Sequence, residues 1–276
     1  MRLFVHHRTE YSFSEPQRRV VQRARIVPSS FVGQNIIDWQ IDVGCDVRLR
    51  SARDGYGNET TMLYVDGPVE RISITVSGEV LTENRAGMVE GAPEPLPPMV
   101  FLRATHLTNA DKAIIDFAEG VAADAQGPLD TAHRLMRALH EKVRFDATGM
   151  DVDRTAADAF ANGHGVCQDH AHIFVAAARA LDIPARYVSG HLYRRDGGSA
   201  QTAAHAWAEA HIPDYGWIGF DPANDLCPDE AYIRVAVGLD YREAAPLVGA
   251  RIGGGIEVLD VGVSVSDTQS QLQTQS

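Results

Sequence analysis

Three side chains in this sequence could together make an activated thiol: Cys167 in Gly165-Val166-Cys167-Gln168-Asp169-His170, His205 in His205-Ala206-Trp207, and Asp221 in Gly219-Phe220-Asp221-Pro222. A sulfur attacks a carbonyl as thiolate, so it needs a base to take its proton. The base needs a carboxylate that fixes its tautomer and stabilises the imidazolium. Cys167 stands where a helix begins, His205 in an alternating strand-like run, and Asp221 at the end of the next such run. A helix start sets a thiol against unpaired amides and the positive end of the helix dipole, and both favour thiolate. Gly163 and Gly165 permit unusual backbone angles on the approach. The backbone N–H of Cys167 is then a natural donor to an oxyanion.

Neighbouring residues have competing roles. Gln168 and His170 could assist the oxyanion or position substrate, although local packing or capping is the simpler role for both. Trp207 shares a strand face with His205 and Glu209 and could wall a cleft; packing across the sheet explains it, and Trp217, more simply. Asn224 could line the cleft but reads first as a turn residue, and Asp169 can cap the helix start or pair with a basic residue. His164, Cys167, His170 and His172 are metal-ligand types in close succession. His172 leaves the helix face of Cys167 and His170, and no fourth ligand stands out, so zinc is the weaker reading. No calcium-loop pattern occurs. The expectation is chemistry without metal or organic cofactor. Cys45 and Cys227 read as small buried hydrophobes, and three cysteines without a CxxC pair do not make a disulfide framework.

The elements that must hold these residues can be traced along the chain. To about Glu83 the sequence reads as β: residues 19–27 and 36–43 are rich in valine and isoleucine, and Ile72, Ile74 and Val76 alternate with polar neighbours. Asp54-Gly55-Tyr56-Gly57-Asn58 is a hairpin-type turn. GAPEPLPP at 91–98 cannot continue a helix or a central strand and marks a linker. Helical spacing follows. Asp111 can cap a helix bearing Ile114, Ile115, Ala118 and Val121, and a second helix is expected over about 131–143. Thr155 with Asp158 resembles a capping box, and Asn162-Gly163 stops that short helix. The helix headed by Cys167 should bury Ala171, Phe174, Val175 and Ala178 and end at Asp182-Ile183-Pro184. Strand-like runs at 185–192, 204–212 and 217–221 then carry His205 and Asp221, with turns at 194–198 and 213–216. The resulting division is a β-rich unit over 1–90, a linker over 91–100, a core over 101–260, and a polar, disordered tail over 261–276.

Acidic residues outnumber basic ones by 37 to 25, a net charge of −12, which argues against nucleic acid or an anionic membrane as the main partner. No stretch approaches the roughly 20 apolar residues needed to span a bilayer, and the amino-terminal segment lacks a signal-peptide pattern. A cytoplasmic location is the expectation.

GVCQDHAH, IPARYVSGHLY, HAWAEAHIPDYGWIGFDPAND and IRVAVGLDY, in that order, resemble the bacterial transglutaminase-like cysteine proteins over roughly residues 101–255. HHRTEYSFSEP and DGYGN are similar to the β-rich N-terminal region that these proteins carry. The resemblance implies an α+β fold: a papain-like transglutaminase core, its cysteine-bearing helix packed on an antiparallel sheet, preceded by a small β-rich domain. It also implies Cys167 as nucleophile, His205 as base and Asp221 as the residue that orients the base. Members cross-link glutamine to amines, deamidate, cleave peptides or have lost catalysis. The activity expected here is hydrolysis of a peptide or protein amide through a thioester, as in the members described as candidate cysteine proteases. Amide transfer to an amine is the alternative within the same chemistry. A non-catalytic peptide- or protein-binding module is the alternative outside it, and the complete Cys-His-Asp set counts against that.

Overall fold

The computed structural model describes residues 1–148, 151–196, 200–201 and 203–267. The chain opens with β1 (Arg2–Val27), β2 (Gln34–Val43), β3 (Arg48–Arg53) and β4 (Glu59–Thr82). β1 and β4 form an antiparallel ribbon running from Arg2 opposite Leu81 to Val27 opposite Glu59. The register shifts between Ser12 and Gln17, a bulge that lets so long a ribbon bend. Leu3, Val5, His7, Thr9, Tyr11 and Phe13 are buried at every second position of β1, the period of a strand with one face inward. This half of β1 lies in the segment read as β but is given no strand of its own in the sequence reading, because His7 and Thr9 interrupt its apolar alternation.

The chain then passes through β5 (Met88–Val89) and a proline-rich crossing that ends in a 3₁₀ turn, Pro98–Leu102. Next come α1 (Lys112–Ala122), α2 (Pro128–Lys142), β6 (Arg144–Phe145), α3 (Ala156–Asn162), β7 (His164–Gly165) and α4 (Cys167–Ala180). The side chain of Asp111 accepts from the Ile114 amide at 2.9 Å, and Thr155 from the Asp158 amide at 3.1 Å, so both expected caps operate. α2 begins earlier than residue 131, because Pro128 fits the first helical position, where no amide donor is needed.

β8 (Ala185–Leu192), β9 (Ala200–Gln201), β10 (His205–Ile212), β11 (Gly216–Phe220) and β12 (Tyr232–Gly238) follow. The one-turn helix α5 (Tyr241–Ala244) and the strands β13 (Leu247–Ile252) and β14 (Glu257–Asp267) complete the described chain. Two antiparallel sheets result. One has the order β12-β8-β10-β11-β5; the other has β2-β4-β1-β14-β9, with β3 on β4 and β13 on β1.

α4 is buried on every side. Phe174 and its apolar neighbours meet Ala208, Ala210 and Ile212 of β10 on one flank and the helices α1, α2 and α3 on the other. A helix enclosed in this way needs small or apolar residues all round, which the alanines of 176–178 supply. The helix carrying Cys167 therefore cannot rock without repacking the core.

Two expectations about domain layout are corrected. β13 and the first four residues of β14, assigned from sequence to the 101–260 core, pair with β1 and belong to the first sheet. The tail does not start at 261: β14 continues to Asp267, with Val263 and Val265 buried. Residues 268–276 and part of the turn expected at 194–198 lie outside the described residues. The first sheet also covers an edge of the second. Gln34 donates from Nε2 to the Arg234 carbonyl at 2.9 Å and accepts from the Arg234 amide at 2.8 Å. Asn58 does the same for Val237, at 2.7 and 2.8 Å. Two side-chain amides thus stand in for a neighbouring strand on β12. Among the described residues, no helix is long and apolar enough to cross a membrane.

Three enclosed imidazoles make this packing sensitive to acid. Burial, then His6, pushes His7 down to about 4; burial, then Arg179, pushes His172 to about 3; burial, then His7, pushes His191 to about 3. Each ring is neutral in the fold and takes a proton more readily once unfolded, near the ordinary 6.5. Stability is therefore complete above pH 6.5 and falls as pH drops toward 4. The loss at pH 5 is on the order of 2 kcal/mol per ring. Denaturant midpoints measured between pH 7 and 5 should show a steep decline, and a flat profile would contradict it.

Candidate active site

The Cys167 end of α4 is fixed by local chemistry. Val166, just before the helix, has no side-chain acceptor; instead its amide donates back to Asp169 Oδ2 at 2.9 Å. Asp169 also pairs with Arg154 at 3.4 Å, so it takes both roles considered for it. Gly165 makes this possible, since a Cβ there would lie 2.4 Å from Asp169 Oδ2. The β6–β7 pair pins the approach: Arg144 donates to the Gly163 carbonyl and Asp146 to the Gly165 carbonyl, each at 2.9 Å. The amide of Cys167 lies in the first turn, where it has no intrahelical acceptor.

His205 opens β10, opposite Gly190 of β8. Its Nε2–H donates to Asp221 Oδ2 at 2.7 Å. The Cys167 sulfur acts on the same ring from the start of α4. Burial opposes charge on this ring, but the Asp221 carboxylate and then the Cys167 sulfur outweigh it and hold the imidazolium to about 10. Asp221 has no exposed surface and His205 is 9% exposed, whereas Cys167 is half-buried. The sulfur is thus the most accessible of the three.

The carboxylate is held from several sides. Oδ2 also accepts from Asn224 Nδ2 at 2.7 Å and from the Tyr232 hydroxyl at 2.8 Å; Oδ1 accepts from the amides of Ala223 at 3.0 Å and Asn224 at 3.3 Å. Burial alone would raise the Asp221 carboxyl; His205, Asn224 and Tyr232 reverse this and lower it. Trp207 and Tyr232 pack on the His205 ring at centroid distances of 6.2 and 5.8 Å. Gly190 leaves room for that indole, since a Cβ there would lie 2.5 Å from the Trp207 ring.

The structure therefore brings Cys167, His205 and Asp221 together, with a hydrogen bond between His205 and Asp221 and the Cys167 sulfur acting on the His205 ring. It does not bring Gln168 or His170 to the sulfur's open side. Gln168 is buried, with Nε2 on the Val152 carbonyl at 3.4 Å. His170 is 1% exposed, with Nδ1 on the Val166 carbonyl and Nε2 on the Val143 carbonyl, both at 2.9 Å. Trp207 and Trp217 are packing residues of the sheet. His172 Nε2 accepts from the Tyr241 amide at 3.0 Å, away from His170, and among the described residues no three His, Cys, Asp or Glu form a metal-binding group. Cys227, by contrast with Cys167, is pushed by burial up to about 11. Tyr232 escapes the sequence reading entirely. Its hydroxyl reaches Asp221 from the first residue of β12, which β8 and β10 separate from β11 in the sheet, and no local spacing signals that.

Residues 115–222 match the family model of the transglutaminase-like superfamily, and residues 3–81 match that of the bacterial transglutaminase-like N-terminal region. The chain belongs to the transglutaminase-like superfamily. An uncharacterized protein of Mycobacterium leprae is 31% identical over 288 residues, which cover 96% of this chain and 98% of that one. A crystal structure from Cytophaga hutchinsonii, described as a candidate cysteine protease, superposes with a TM-score of 0.76 over 97% of this chain and 91% of its own, at 20% identity. It shares the fold of this transglutaminase-like chain from the β-rich region to the core. A protein-glutamine gamma-glutamyltransferase of Pseudomonas aeruginosa is 32% identical over 155 residues, covering 48% of this chain and 22% of that protein.

Proposed function

We propose that the protein is a cysteine hydrolase acting on a peptide or protein amide, with Cys167 as nucleophile, His205 as base and then acid, and Asp221 as the residue that orients the ring. The observation that carries this reading is the half-buried Cys167 at the start of α4 beside a His205 ring hydrogen-bonded to the enclosed Asp221. Burial opposes charge on His205 but Asp221 favours it, which suits the ring to take the thiol proton as the sulfur attacks. The thiolate forms a C–S bond with the carbonyl carbon, and the Cys167 amide holds the oxyanion. As the C–N bond breaks, His205 delivers its proton to the departing amine and leaves a thioester. A water molecule then loses a proton to His205 and attacks the thioester. The acid departs and the thiolate–imidazolium pair is restored. No step calls on a metal or an organic cofactor.

Water is always available, whereas choosing an amine requires a dedicated site, and this favours hydrolysis. Transfer to an amine is the second reading, favoured by the similarity to the Pseudomonas aeruginosa gamma-glutamyltransferase. A peptide library quenched in acid and examined by mass spectrometry separates them. An acyl adduct on Cys167 with a free acid product is expected. Incorporation of an added amine in place of water would overturn hydrolysis, and absence of any adduct would overturn the thiol chemistry.

A further inference from the structure

A second cleft opens on the face of the catalytic sheet turned away from α4. Ala208 and Ala210 of β10 pack toward that helix, so the alternating Trp207 and Glu209 lie on the other face, and both line the cleft. Its rim comes from the segment before β2, at Phe31, and from the stretch that runs through Arg85 into Met88. The space measures about 430 Å³ counted out to open solvent, which suits a ligand of few atoms.

The open polar groups of this cleft are donors. Trp207 is 2% exposed, yet among the described residues its indole Nε1–H meets no acceptor. A Cβ on Gly219 would stand 3.5 Å from that nitrogen and 2.9 Å from Pro228. Gly219 and Pro228 are walls of the same cleft, so the bare glycine keeps the indole nitrogen open to it. Arg234 is equally enclosed. It gives Nε and Nη2 to Glu209 at 2.7 and 3.2 Å, and its Nη1 has no hydrogen-bond partner among the described residues. Arg85 stands 3.8 Å from Glu90, beyond hydrogen-bond range. Indole and guanidinium groups can only donate. The carboxylates of the lining do not answer them. Glu209 is taken up by Arg234 and Arg186, and Asp229 accepts from Arg195 and from the Ala231 amide, each at 2.8 Å. Glu83 is exposed. Enclosed donors without acceptors favour a ligand that brings oxygens. Two guanidinium groups beside one N–H match the paired oxygens of a carboxylate. Phe31, Met88 and Pro228 supply apolar surface next to them.

We propose that this cleft binds a small carboxylate with an apolar body, its oxygens held by Trp207 Nε1, Arg234 and Arg85 and its body set against Phe31, Met88 and Pro228. The site does not depend on the reaction proposed for Cys167. It shares a wall with the triad, however, because Trp207 and Tyr232 also pack on the His205 ring.

The test uses the full-length chain labelled with ¹⁵N-tryptophan and two probes of one shape, 3-methylbutanoate and 3-methylbutanamide. The chain has three tryptophans, Trp39, Trp207 and Trp217, so three indole signals are expected. That of Trp207 is identified by its loss in Trp207→Phe or, should that variant not fold, by elimination with Trp39→Phe and Trp217→Phe. The carboxylate should move the Trp207 signal saturably, and the amide should bind about tenfold more weakly, since it lacks the charge that the arginines recognise. Arg85→Ala, a change at a half-exposed side chain outside the triad, should weaken the carboxylate about fivefold. No saturable shift, or an amide that binds as tightly as the acid, would overturn the proposal. So would an unchanged titration in Arg85→Ala, which would place the probe beside His205 instead. Failure of the thiol chemistry would leave all three readings unaffected.

Discussion

A Cys167→Ala variant is expected to form no acyl adduct and to lose turnover by about 10⁴-fold or more, with its thermal unfolding temperature little changed. In the proposed mechanism the sulfur is the group that bonds to substrate, so nothing nearby can replace it. Cys227 is held as the thiol by burial and packs against the helix core, so it offers no second nucleophile. The small stability effect follows from position: Cys167 is half-buried at the start of α4, where alanine is also a good helix former. Assay of the variant on any substrate that the unaltered protein turns over, beside a melting curve, decides the matter. Retained turnover would move the chemistry elsewhere.

Glu209→Ala should instead unfold the protein more easily without touching the reacting groups. Glu209 has no exposed surface and accepts from Arg186 Nε at 2.7 Å and from Arg234 at 2.7 and 3.2 Å. Burial opposes its charge, but Arg234 and then Arg186 outweigh burial and hold the carboxyl down at about 2. Arg186 also donates to Glu94 at 2.6 and 2.8 Å and lies 3.8 Å over the Trp217 ring. Alanine would leave two enclosed guanidinium groups short of a counter-charge and open a void between them. Breaking a buried pair in this way costs roughly 3–5 kcal/mol. For a chain of this size that corresponds to a drop of roughly 10 °C in melting temperature. The strand affected is β10, which carries His205 four residues earlier, so catalytic activity should fall at temperatures where the fold still survives. A melting temperature within a degree or two of the unaltered protein would show that water already screens these charges.

What could be read from sequence follows a physical division. Cys167, His205 and Asp221 were legible because each stands at an element boundary marked locally, by Gly165, by the alternation through Trp207 and Glu209, and by Pro222. The helix caps at Asp111 and Thr155 were legible for the same reason, since a cap depends on residues within one turn. The pairing of β1 with β13 and β14 was not, because it joins residues at opposite ends of the chain and leaves no local mark. Val261, Val263 and Val265 alternate as a strand should, yet the serines and glycine between them made the segment resemble a polar tail. The clamp on Asp221 was half visible. Asn224 stands close enough to suggest a turn role, but Tyr232 joins it only through the placement of β12. His170 shows the limit most sharply: its residue type was noted, while its two carbonyl partners come from a preceding helix and from the residue before Cys167.

The account turns on proton transfer between residues 167 and 205, and the rate of iodoacetamide labelling at pH 6 measures it most directly. Cys167 in the unaltered protein should react far faster than a simple thiol at that pH, and a His205→Ala variant should fall back toward the simple-thiol rate. Equal rates in the two proteins, or labelling of the unaltered chain no faster than a free thiol, would contradict the account and leave a transglutaminase-like fold without the chemistry.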